Sequence, residues 1–96
     1  MEKILPITCP GCRSEMRVKS LYCGACDTTI SGSFGLPLFL KLETKDQEFI
    51  LKFVQNSGSL KQMSKTLKLS YPTVRNMLDD LIEKIGQLKE EEHENE

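Results

Sequence analysis

Ninety-six residues, 39% apolar, with two tyrosines, four phenylalanines and no tryptophan, allow one ordinary domain or two very small ones and exclude a large core. The formal net charge of −1 hides an uneven distribution: glutamates crowd EEEHENE at 90–96, whereas SLKQMSKTLKLSYPTVRN at 59–76 carries Lys61, Lys65, Lys68 and Arg75 and no acid. No apolar run approaches the roughly 18 residues of a membrane-spanning helix, and MEKILPITCP lacks an apolar region of signal-peptide length, so a cytoplasmic protein without membrane insertion is expected.

All four cysteines fall within CPGCRSEMRVKSLYCGAC, as two C-x-x-C pairs. In a reducing cytosol such pairs are metal ligands or redox centres more often than disulfides. A C-x-x-C turn lets two thiolates converge on one ion, and two such turns complete a closed tetrahedral site that is structural rather than catalytic. The predicted ligands are therefore Cys9, Cys12, Cys23 and Cys26, holding structural Zn2+. Iron in a rubredoxin-like site would use the same ligands, and ligand type alone does not separate the two metals. A thioredoxin-like role would need one pair at the start of a helix in a βαβ unit, and the flanking sequence has no such pattern.

Between the pairs, EMRVKSLY alternates Met16 and Val18 with Arg17 and Lys19, which suits a half-buried strand and a β-hairpin. TTISGSF, rich in β-branched residues, adds a further strand. The predicted unit is a zinc ribbon over residues 1–34, in which the metal replaces a core that about 35 residues cannot build. Arg13, Arg17 and Lys19 could contact nucleic acid, although Glu15 and Asp27 dilute that charge, and protein contact is the other use of such a surface. Residues 35–43 read as an apolar connector: Gly35 and Pro37 argue against regular structure, while Leu36, Leu38, Phe39, Leu40 and Leu42 argue for packing on a neighbour.

From Thr44 the period becomes helical. Thr44 with Gln47 has capping-box spacing, and Ile50, Phe53 and Val54 share a face. Asn56-Ser57-Gly58 is a stop, because glycine accepts the left-handed conformation that ends helices. Ser59 with Gln62 opens a short second helix lined by Leu60, Met63 and Leu67. Ser70 caps a third, with Pro72 in its first turn and Val74, Leu78, Leu81 and Ile85 as its buried stripe. Helices of about twelve, eight and fifteen or more residues, the last two joined by about three residues, predict a helix-turn-helix domain with an extended third helix over 44–89. Residues 90–96 are expected as an acidic disordered tail. The fold class is thus small α+β in two modules.

In such a domain the opening turns of the last helix enter the major groove of double-stranded DNA. Tyr71, Pro72, Arg75 and Asn76 lie away from the buried stripe; arginine can pair with guanine and asparagine with adenine. Ser59, Lys61, Lys65 and Thr73 are placed for phosphate contacts, and the cap Ser70 is counted with the DNA-binding residues. Asp79 and Asp80 would confine close approach to the first two turns. Beyond Ile82, Leu81, Ile85 and Leu88 continue a heptad seam that could form a homodimer interface, weakened by Gly86 by about 1 kcal/mol. An enzyme is not expected, since the lone histidine, His93, lies in the acidic tail without a catalytic partner.

The chain resembles a bacterial and archaeal family of short proteins of unknown function that join an N-terminal zinc ribbon to a helix-turn-helix similar to region 4 of sigma factors. CPGC and CGAC, ISGSFGLP, NSGSLKQM and KLSYPTVRNMLDDLI carry the resemblance, over about residues 6 to 85. It implies zinc on the four cysteines and DNA contact from the helix that begins after Ser70. Arg13 and Asp27 stand where glycine often follows the second cysteine of each turn in such ribbons. The function expected is sequence-specific transcription regulation; the alternative is an adaptor docking on RNA polymerase, a sigma factor or a stress-response partner.

Overall fold

The computed structural model describes residues 3–94. Two compact units divide the chain, Met1–Lys41 and Leu42–Glu96. The expected connector is thereby split, with 35–41 in the first unit and 42–43 in the second.

The first unit contains a two-stranded antiparallel sheet, β1 (Val18–Tyr22) and β2 (Thr29–Phe34). Val18 pairs with Phe34, Ser20 with Ser31, Leu21 with Ile30 and Tyr22 with Thr29, with an irregularity between Val18 and Ser20. The hairpin is therefore not confined to the ten residues between the cysteine pairs: β1 comes from that stretch, and its partner lies beyond the second pair. Across the strands, Arg17 Nε donates to Ser33 Oγ at 3.1 Å and Arg17 Nη2 to the Ser33 carbonyl at 3.4 Å. Among the described residues of this unit Leu36 is the buried apolar one, and every residue of β2 is exposed. So thin an apolar core is what a module of this size has before a metal or other cross-link is counted. A short helix, α1 (Leu38–Lys41), follows where regular structure was not expected. Pro37 presets the backbone for its first turn, and its carbonyl accepts from Leu40 N at 2.9 Å.

The second unit holds α2 (Thr44–Gln55), α3 (Leu60–Leu67) and α4 (Tyr71–Glu94). Its core is Leu42, Phe49, Met63, Val74 and Leu81, with Met63 and Val74 fully buried. Ile50, Phe53, Leu60, Leu67, Leu78, Ile85 and Leu88 pack around it. Phe49 and Phe53 stack with ring centroids 6.3 Å apart. Leu42 thus belongs to the helical core rather than to a linker.

Three helix details differ from expectation. Glu43, not Thr44, is the N-cap of α2 and makes no side-chain capping bond; Gln47 Nε2 instead donates to the Leu42 carbonyl at 2.9 Å. Val54 is 68% exposed while Phe49 is buried, so the inner face of α2 is rotated from the Ile50–Phe53–Val54 reading. And α4 continues through 90–94, where a disordered tail was expected, because Gln87, Leu88 and Lys89 carry the helix up to a run of glutamates, all good helix formers. The rest of that expected tail, residues 95 and 96, lies outside the described residues, as does the His93 side chain.

The other boundaries agree with the sequence. Ser59 caps α3, its hydroxyl accepting from Gln62 N at 3.2 Å. Ser57 and Gly58 take φ of 57° and 73°, and Gly58 N donates to the Phe53 carbonyl at 2.8 Å, which ends α2 in a left-handed turn. Asn56 then joins α2 to α3: its Nδ2 donates to the Lys52 carbonyl at 2.7 Å and approaches Met63 Sδ at 3.4 Å. Among the described residues no helix is long and apolar enough to cross a membrane.

Candidate metal centre and nucleic-acid interface

Each cysteine pair is the turn of its own small hairpin, and the two turns have the same design. Around CPGC, Cys9 N donates to the Ser14 carbonyl at 2.8 Å and Arg13 N to the Cys9 carbonyl at 2.8 Å. Around CGAC, Cys23 N donates to the Thr28 carbonyl at 2.8 Å and Asp27 N to the Cys23 carbonyl at 2.9 Å. Thr8 bridges to Glu15 across the first turn, and Tyr22 pairs with Thr29 across the second. Arg13 and Asp27 take φ of 64° and 63°, the left-handed conformation that the turn demands although neither is glycine. Asp27 is further held by the Tyr22 hydroxyl, which donates to its carboxylate and raises the tyrosine's pKa.

Hydroxyl residues occupy matching places beside the sulfurs. Cys26 Sγ lies 3.0 Å from Thr28 Oγ1, and Gly11 N donates to Cys9 Sγ at 3.3 Å. Hydrogen bonds from the Ser14 side chain and backbone, then from Cys9, hold the Cys12 thiol below its ordinary pKa. Thr28 and Cys23 do the same for Cys26. A lowered pKa favours the thiolate, the form that binds metal.

The sulfurs stand as two pairs. Among the described residues, no group of three or more Cys, His, Asp or Glu side chains is gathered into one metal cluster. The donor set nevertheless fits a four-thiolate ion: two matched turns, each converging two sulfurs with N–H and O–H donors to support them. The matched design has a sequence signal, since C-P-G-C-R-S and C-G-A-C-D-T repeat cysteine, turn and hydroxyl at the same spacing. The hydroxyl residues Ser14 and Thr28 are the part of the site that reading the cysteines alone misses.

On the helical unit, α3, the Lys68–Ser70 turn and α4 form the expected helix-turn-helix. Lys68 caps α3 in the left-handed conformation with φ of 58°, and Leu69 N donates to the Ser64 carbonyl at 3.1 Å. Ser70 Oγ accepts from Thr73 N at 3.3 Å and lies 2.7 Å from Thr73 Oγ1, capping α4. With Val74 buried, Lys61, Lys65, Lys68, Tyr71, Pro72, Thr73, Arg75 and Asn76 are all exposed. Ser59, Ser70 and Thr73 already spend hydrogen-bonding capacity on helix ends. Arg75 Nη2 lies 3.3 Å from Asp79 Oδ1, one turn along α4. Lys68 and this ion pair add to the residues expected from sequence.

Of the residues expected to form a dimer seam, Leu81 is 4% exposed in the chain's own core, and Ile85 and Leu88 are partly buried against that core.

Two family models match: the DUF2089 zinc ribbon over residues 9–40, and a domain of unknown function (DUF2089) of helix-turn-helix type over residues 42–88. No curated protein and no solved structure matches the chain. The cysteine pairs of the ribbon point to zinc, and ribbon plus helix-turn-helix points to nucleic-acid binding. With both modules matched in order over most of its length, the chain belongs to the DUF2089 family, a zinc ribbon followed by a helix-turn-helix.

Proposed function

We propose that the protein is a sequence-specific, double-stranded-DNA-binding transcription regulator without enzymatic activity, whose ribbon is held by structural zinc. The observation that carries this reading is the exposed surface of α3 and the opening of α4, where residues 59–76 carry Lys61, Lys65, Lys68 and Arg75 and no acid. Lys61, Lys65 and Lys68 supply phosphate contacts, and Arg75 and Asn76 are the candidates for base edges. Tyr71 and Pro72, both exposed, flank the point of entry into the major groove. Zinc on Cys9, Cys12, Cys23 and Cys26 would stabilise the ribbon fold; a closed four-thiolate ion leaves no position for substrate.

An electrophoretic assay on the gene's own upstream DNA tests this. Retardation that weakens with salt and is lost in an Arg75→Ala, Asn76→Ala double variant supports the reading. No retardation at low salt, with a protein of the transcription machinery bound instead, favours the adaptor role. Leu51 and Val54, 56% and 68% exposed on α2, are the observation on the adaptor's side.

A further inference from the structure

Asp79 stands on the groove-facing side of a helix proposed to lie against polyphosphate, where an acid costs affinity for every duplex. Its neighbour Asp80 has a separate place, lining a cleft of about 160 Å³ with Lys45, Met77 and Lys84 between α2 and α4. Asp79 instead meets Arg75 at 3.3 Å, and the two side chains are 52% and 51% exposed. An exposed pair one helical turn apart adds little to stability. What it does supply is orientation. A guanidinium reads guanine only when its planar fork is aligned with O6 and N7. The Asp79 carboxylate lies beside Nη2 of Arg75, and the guanidinium has five N–H donors in all, so others are left for a base.

We infer that Asp79 is a specificity-determining residue: it fixes the Arg75 guanidinium for guanine, trading general DNA affinity for selectivity. The inference rests on the DNA-binding reading above and adds that the recognised site contains a guanine whose readout depends on an acid that touches no base. An unsupported arginine would sample several rotamers and pair with phosphates as readily as with bases.

The test uses the full chain with zinc. Duplexes are selected from a random pool with the wild-type protein. Binding is then measured to the best duplex, to the same duplex with each guanine replaced, and to an unrelated duplex. Asp79→Ala and Asp79→Asn should each lower the preference for one guanine by roughly tenfold, while strengthening binding to the unrelated duplex. Arg75→Lys should lose preference at that same guanine, and unchanged helicity and melting would separate orientation from folding. A preference within about twofold of wild type in both Asp79 variants overturns the inference. So does equal tightening on all duplexes, which would make Asp79 an electrostatic brake alone. Failure of the wild type to bind any duplex would instead overturn the DNA-binding reading on which the inference stands.

Discussion

Lys84 Nζ lies 3.0 Å from Asp46 Oδ2, tying the middle of α4 to the first turn of α2. Asp46 is well covered, with 14% of its side chain exposed, and it sits where the α2 dipole favours an acid. The contact raises the Lys84 pKa, chiefly through the hydrogen bond to Asp46.

The sign of the resulting pH dependence follows. A lysine whose folded pKa is raised binds its proton more tightly in the folded state. Its contribution is therefore complete below the unfolded lysine pKa of about 10.4 and fades as pH rises through the folded value. Asp46→Asn should lower the melting temperature at neutral pH, and the gap from wild type should narrow in strongly alkaline buffer. Melting curves followed by circular dichroism at several pH values check this; a gap independent of pH would assign the effect to the α2 dipole.

Met63→Ala should be far more damaging. Met63 is 0% exposed in the helical core, and its truncation leaves a cavity there. Truncations of this kind cost about 2–5 kcal/mol, a large share of a small domain's total. Urea unfolding should show a sharply lower midpoint, whereas Lys61→Ala, at an exposed site on the same helix, should change it little.

Arg13→Gly should modestly stabilise the ribbon. A non-glycine residue in the left-handed region costs about 1–2 kcal/mol, and Arg13 sits there with φ of 64°. Glycine's greater freedom in the unfolded chain gives back about 0.5–1 kcal/mol, leaving a small net gain. Competition with a zinc chelator should show slightly tighter retention in the variant. Asp27→Gly should gain less, because it also removes the bond from Tyr22.

Much of this architecture is legible in the sequence because its determinants are local. The cysteine spacing, the Ser59 and Ser70 caps, Gly58 and the Val74–Leu81 stripe each act within a few residues. The features that escape depend on partners distant in sequence. Leu42 enters a core completed by α3 and α4. Leu81, Ile85 and Leu88 have a spacing that suits either a second chain or the chain's own core, and spacing alone does not separate the two uses. The Arg75–Asp79 pair was within reach, since spacing by four residues on a helix signals such contacts.

Zinc removal should act on one unit alone. Among the described residues of Met1–Lys41 Leu36 is the buried apolar one, whereas Leu42–Glu96 has its own five-residue core. Chelation should abolish the amide protection of the β1–β2 hairpin and leave the helical signal in circular dichroism nearly intact. Cys12→Ser should reproduce the chelated state without chelator. Simultaneous loss of helix would contradict independent folding of the two units.

The most direct measurement is the affinity for the selected duplex as salt is raised. Lys61, Lys65 and Lys68 at phosphates predict a log–log slope of about −3, becoming shallower by about one for Lys65→Ala. Affinity that is insensitive to salt, or a slope unchanged when these lysines are removed, would contradict the placement of α3 and α4 against DNA.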